Sequence, residues 1–323
     1  MVYIKEYKKN IFPAYLPPFK EELFSSWYCR LAISHGVKPL TLVKNNFDYN
    51  APIFNRDIDN MGPKYLIDFL YLHTPLYRKS IRNLFLESYA GTYFSDNSEN
   101  RNNILALGLN HRDRKRFGTM CCPKCLRKSP YYKKEWRLFT SIVCTRCNSY
   151  LIDRCPSCEK PISYHRIYNS GNQSIPDFSM PFTLCWYCKK NLASIESGQP
   201  TEKELRYQRY INKTLKDGYN EYSNYSFSFI RGIIILCRAS RSKKFKQRLG
   251  KLLQSIYKVE FYPIEKAISL WSHKERLETL PYIFKFIEDA EILKEEREYF
   301  KISRSYLGQD ITIDFWLLSL LNL

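Results

Sequence analysis

Eight cysteines stand in four Cys-x-x-Cys pairs: Cys122/Cys125, Cys144/Cys147, Cys155/Cys158 and Cys185/Cys188. A two-residue spacer lets the chain fold back so that both thiolates meet one ion, and two such pairs close a tetrahedron. Eighteen residues separate Cys125 from Cys144, inside the ribbon-type spacing for a second pair. Twenty-six separate Cys158 from Cys185, and that longer insertion holds the polar stretch NSGNQSIPD. Consecutive pairing therefore assigns Cys122, Cys125, Cys144 and Cys147 to one site, and Cys155, Cys158, Cys185 and Cys188 to another. Each would hold one structural Zn2+, with every coordination position taken by thiolate and none left for water. Joining the two inner pairs instead would strand the outer ones. A disulfide framework is the rival. It needs an oxidising compartment, and the basic N-terminus MVYIKEYKK has no apolar run behind it to act as an export signal. Redox Cys-x-x-Cys motifs occur singly beside a βαβ unit, not four times in succession. Cys29, Cys121 and Cys237 are left over, and buried thiols are expected there.

No other pattern carries catalysis. There is no Gly-x-x-x-x-Gly-Lys phosphate loop, no His-Glu-x-x-His motif and no His-x-Glu followed by the Pro-Cys-x-x-Cys of a zinc deaminase. The five histidines (35, 73, 111, 165 and 273) are scattered. Only a dispersed acidic nuclease triad stays open to an enzyme reading, and a non-enzyme is expected. The formal charge of +19 points instead to a polyanionic partner, with DNA the commonest. Two tetrathiolate sites would lower that charge to roughly +15. Two basic runs suit phosphate contacts: His111 to Arg116, with Arg112, Arg114, Lys115 and Arg116, and Arg238 to Lys251, with Lys243, Lys244, Lys246 and Arg248. In the second run Phe245, Leu249 and Leu252 supply apolar positions for a basic helix face that also includes Arg241. The longest apolar runs, 232–237 and 315–323, are far too short to span a bilayer, so no membrane is expected.

The elements that must position these residues read as mainly helical, with small zinc-ribbon β elements. Polar breaks at 95–103, 194–201 and 217–224 punctuate the chain. They suggest a helical domain over 1–110, a tandem zinc-binding domain over 111–195 and a C-terminal helical domain over 196–323. Residues 21–34 carry Leu23, Trp27 and Leu31 at helical spacing, Gly36 suits the C-cap, and Pro39 suits the start of a helix to about Phe47. The short turn, with small Ala32 before it, fits a helix-turn-helix or an ordinary helical hairpin. A second pair is expected over 63–73 and 75–89. Ser272 to Phe286 should open on a Ser cap and break or kink at Pro281.

The order of these residues resembles the TniQ/TnsD transposition proteins. LPPFKEELFSSWYCRLAISHGV is similar to the family's opening, with Glu22, Leu23, Ser26, Trp27, Arg30, Leu31, Ala32 and Gly36 in place. IRNLFLESY (81–89) resembles its second helical pair. The most specific match is CPKCL followed by EWRLFTSIVCTRCNSYLIDRCPSC. Many members carry histidine where this chain has Cys147, which is an equally good zinc ligand. The resemblance covers residues 15 to 190 and thins afterwards, to stretches such as SRSYLGQDITIDFW (303–316). It implies a non-catalytic adaptor that selects a transposon's target site, working with a separate AAA+ ATPase and a separate transposase. Some members bind DNA directly; others ride on a CRISPR effector complex and often form a homodimer. Trp27 and Arg30 then become candidate partner-binding residues, in a bacterial cytoplasmic protein associated with the nucleoid when bound to DNA. A zinc-ribbon or helix-turn-helix transcription regulator is the alternative.

Overall fold

The computed structural model describes residues 11–47, 53, 54, 56–96, 103–107, 116–169, 181–243, 247–308 and 313–322. About half of the chain is helical and strands are few. The chain divides into two compact units. One comprises Met1–Ser88, Ala106–Arg137 and Leu151–Ser197; the other comprises Tyr89–Leu105, Leu138–Tyr150 and Gly198–Leu323. No helix among the described residues is long and apolar enough to cross a membrane.

In the first unit, α1 (Phe24–Ser34) is followed by α2 (Pro39–Asn46), α3 (Ile58–Met61), α4 (Lys64–His73), α5 (Arg78–Arg82) and α6 (Pro123–Lys128). Helix α1 forms because Phe24, Trp27, Tyr28 and Leu31 recur on one face, and all four are fully buried. It starts three residues later than the apolar spacing predicts. Glu21 sits at φ +61°, and Glu22 pairs with Lys133 in an isolated bridge instead of entering the helix. At the other end Gly36 takes φ +64°, the Val37 amide returns to the Ala32 carbonyl at 3.1 Å, and Pro39 opens α2.

The expected helix over 75–89 is not continuous. Only Arg78–Arg82 is α-helical, and a 3-10 turn, Leu86–Tyr89, follows. The carbonyl of Leu84 is taken by the Phe24 amide at 2.9 Å, so the first turn of α1 uses the acceptor that would have continued the helix.

The second unit holds the strands β1 (Val143–Cys144) and β2 (Ser149–Tyr150), an antiparallel pair. Its helices are α7 (Glu202–Asp217), α8 (Ser226–Arg241), α9 (Arg248–Tyr257), α10 (His273–Leu277), α11 (Leu280–Glu288), α12 (Lys294–Tyr299), α13 (Arg304–Leu307) and α14 (Phe315–Leu321). Capping boxes start α7 at Thr201/Glu204 and α10 at Ser272/Glu275. The stretch 272–286 breaks as Pro281 requires: α10 ends at Leu277, and Pro281 falls in the first turn of α11. Ile230, Ile233, Leu249, Leu252, Ile283, Phe286 and Leu317, all buried, supply apolar core from α8, α9, α11 and α14.

Candidate metal centres

The structure brings the eight paired cysteines into two groups of four. Cys122, Cys125, Cys144 and Cys147 form one; Cys155, Cys158, Cys185 and Cys188 form the other. Within each, the sulfurs lie inside 4.8 Å of one another, and each group could hold a metal ion. Three of the four pairs are followed by a residue in the left-handed region: Asn148 (φ +44°), Glu159 (+57°) and Lys189 (+59°). That conformation folds the chain back over its own sulfurs. The pair Cys122/Cys125 differs, because Pro123 starts α6 between its two cysteines.

The turns at 155–160 and 185–190 are built alike. In each, the first cysteine amide donates to the carbonyl five residues on, Cys155 to Lys160 at 2.9 Å and Cys185 to Lys190 at 2.8 Å. The residue after the second cysteine returns a bond to the first, from Glu159 to Cys155 and from Lys189 to Cys185. The turns face each other across short sulfur contacts, Cys155 to Cys188 at 3.6 Å and Cys158 to Cys185 at 3.7 Å. A tetrahedron with metal–sulfur bonds of about 2.3 Å has edges of about 3.8 Å. A disulfide needs about 2.05 Å. The donor set therefore fits a tetrathiolate ion and does not fit cystines. Around this cluster, Trp186 Nε1 donates to the Pro161 carbonyl at 2.9 Å and the Arg166 guanidinium lies 3.8 Å from the Trp186 ring centroid.

The residues before Cys144 are held by side chains of the second unit. Arg276, fully buried, donates to the carbonyls of Phe139 (3.1 Å) and Ser141 (2.5 Å). The Tyr207 hydroxyl donates to the Thr140 carbonyl at 2.9 Å, and His273 Nε2 bonds the Ile142 carbonyl at 2.6 Å. Gln208 Oε1 accepts from the amides of Ile142 (2.8 Å) and Val143 (3.3 Å). Sequence reading missed these residues. A lone Arg, His or Gln on a helix carries no signal of the backbone groups that it satisfies.

The residues of the opening motif turn inward. Trp27 has no exposed surface, and its Nε1 donates to the Leu16 carbonyl at 2.8 Å. Arg30 pairs with the buried Glu22 at 2.7 Å and lies 4.1 Å from the Phe19 ring centroid. Ser26 donates to Glu22 at 2.9 Å and accepts the Tyr132 amide at 3.0 Å. Ser25 donates to Asp59 through both its amide (2.8 Å) and its hydroxyl (2.6 Å), and Arg137 forks onto Asp57. Burial holds the Asp59 carboxyl up at about 6 against the pull of Arg137.

Of the basic candidates, Arg112, Arg114, Lys115, Lys244 and Lys246 lie outside the described residues, as does Phe245. Arg116 is half-buried. Lys243 meets Glu265 at 2.9 Å with both side chains exposed, and Arg248 donates to the Lys301 carbonyl at 3.1 Å. Arg241 is not on a basic face: it is buried, and its guanidinium bonds Thr279 Oγ1 and the carbonyls of Tyr262 and Glu278. The run 238–251 is also not one helix, since α8 ends at Arg241 and α9 begins at Arg248. Cys29, Cys121 and Cys237 are fully buried, and burial raises the pKa of each.

Two four-cysteine groups, each able to hold a metal ion, stand in a mainly helical chain. Residues 13–149 match the TniQ family model, so this part of the chain is a TniQ domain, a module associated with transposition. The match contains the first cysteine group whole and ends before the second. No curated protein matches the chain.

Proposed function

We propose that this chain is a non-catalytic adaptor that selects the target site of a transposon. It binds target DNA, or an RNA-guided effector complex, and recruits an AAA+ ATPase that directs a separate transposase. The TniQ domain over residues 13–149, with a complete four-cysteine group inside it, carries this reading. In it both groups hold Zn2+ as structural ions: a closed tetrathiolate supplies folding energy and rigidity but leaves no position for an activated water. Residues 1 to about 110 contact the ATPase, and the zinc-binding and C-terminal regions hold the target or the guide complex.

Reconstitution tests it. The purified chain, the proposed AAA+ ATPase partner and target DNA are mixed, and the position of ATPase assembly is mapped. Assembly at the target only when this chain is present is the expected outcome. Equal site selectivity without the chain, or nicking or joining of DNA by the chain alone, would reject the adaptor role.

A further inference from the structure

The second unit carries a groove whose chemistry runs against that of the chain as a whole. Its volume is about 690 Å3. Its floor is Trp316 of α14, which lies over Gly232 of α8. A Cβ there would collide with the indole, so glycine is what lets the two helices meet. The indole Nε1 donates to the Ser228 carbonyl at 3.2 Å, and the Tyr222 and Phe229 rings stack beside it with centroids 5.8 Å apart.

Two further rings at the groove stay in water, Tyr225 at 62% exposure and Phe315 at 83%. Among the described residues no Lys or Arg lines the groove, but Glu221, Glu291 and Asp314 do. Asp314 is neutralised by Arg231; Glu221 and Glu291 are exposed. The pKa of Tyr222 is raised by burial and by Glu221 and Glu288, with Arg206 opposing and Glu291 adding to the rise.

We propose that this groove docks a cationic segment of a partner protein: an extended peptide bearing Arg or Lys and one aromatic or aliphatic anchor. A chain of formal charge +19 attracts phosphate over much of its surface, but carboxylates at this groove repel it. What they favour is a guanidinium or ammonium, and an exposed aromatic face beside a carboxylate binds a guanidinium by stacking and ion pairing together. The volume suits a few side chains, and large exposed rings on a rigid floor are the usual anchors of a docking surface.

The probe is a random dodecapeptide library, selected on the full chain and counter-selected on the double variant Glu221→Gln/Glu291→Gln. Enriched peptides should pair Arg or Lys with an aromatic or aliphatic residue. Their affinity should fall about ten-fold for the double variant and for Phe315→Ala, and should weaken with salt, while duplex DNA fails to displace them. Thermal melts check that each variant folds, and Glu291→Lys alone replaces the double variant if it does not. No enrichment, enriched peptides without basic residues, equal binding to the variants or displacement by duplex DNA would each overturn the proposal. So would a dimer of the chain that the same variants dissociate, because the occupant would then be a second copy.

Discussion

Asp59 shows how a single residue sets a pH response. Its carboxyl is raised from 3.8 to about 6, chiefly by burial. The folded chain thus holds this proton more tightly than the unfolded one, and ionised Asp59 costs stability above about pH 6. The cost is relieved as pH falls through 6 towards 3.8. Measured against Asp59→Asn, which cannot titrate, the natural chain should gain about 2 kcal/mol between pH 7 and pH 4.5. Denaturant melts of both proteins across that range check the sign. Parallel profiles would mean that the carboxyl is not perturbed in the folded state. Cys158 gives a second residue-scale prediction. The proposed two ions per chain should fall to about one in Cys158→Ser, by elemental analysis, since a tetrathiolate site missing one ligand loses its closed shell. Unchanged metal content, or cystines found by intact mass, would refute the zinc assignment.

Among the elements, the segment 138–143 is held less by its own secondary structure than by α7 and α10. Tyr207, Gln208, His273 and Arg276 bond its carbonyls and amides one after another. Removing the guanidinium with Arg276→Met should strand the buried Phe139 and Ser141 carbonyls. A loss of about 2–4 kcal/mol is expected in a thermal or denaturant melt. Hydrogen exchange at the Ile142 and Val143 amides should quicken with it. A variant as stable as the natural chain would show that water satisfies those carbonyls. The turns at 155–160 and 185–190 are a contrasting element. Their bonding is local and repeated, so each forms from a few neighbouring residues once its sulfurs have a common partner.

For the whole molecule, the charge of +19 is a statement about partners and not about fold. The proposed DNA binding should weaken steeply with salt. The triple variant Lys243→Glu/Lys244→Glu/Lys246→Glu should make the slope of log affinity against log salt shallower by about 2 to 3, provided all three contact phosphates. The exposed pair of Lys243 with Glu265 is no obstacle, because such pairs exchange readily for another anion. Fluorescence anisotropy with a duplex at several salt concentrations reads this slope. Absence of binding at low salt would remove direct DNA contact and leave the effector-complex route.

What the sequence determined alone lies within a few residues along the chain. The Cys-x-x-Cys spacing, the Ser272/Glu275 cap, the Gly36 stop, the Pro39 start and the break at Pro281 each depend on neighbours no more than one turn away. Tertiary structure decided the rest, because it joins groups that are far apart in the chain. Glu22, Ser26, Trp27 and Arg30 are spent on internal bonds, and the helix expected over 75–89 ends early because α1 takes the Leu84 carbonyl. Arg241 lies in a run that reads as a basic face, yet three acceptors reachable only in the folded unit hold it inside. The aromatic floor at Trp316 depends on an α8–α14 contact between residues more than eighty positions apart. Burial and long-range hydrogen bonds are properties of the packed chain, and no local pattern encodes which partner a polar side chain will find.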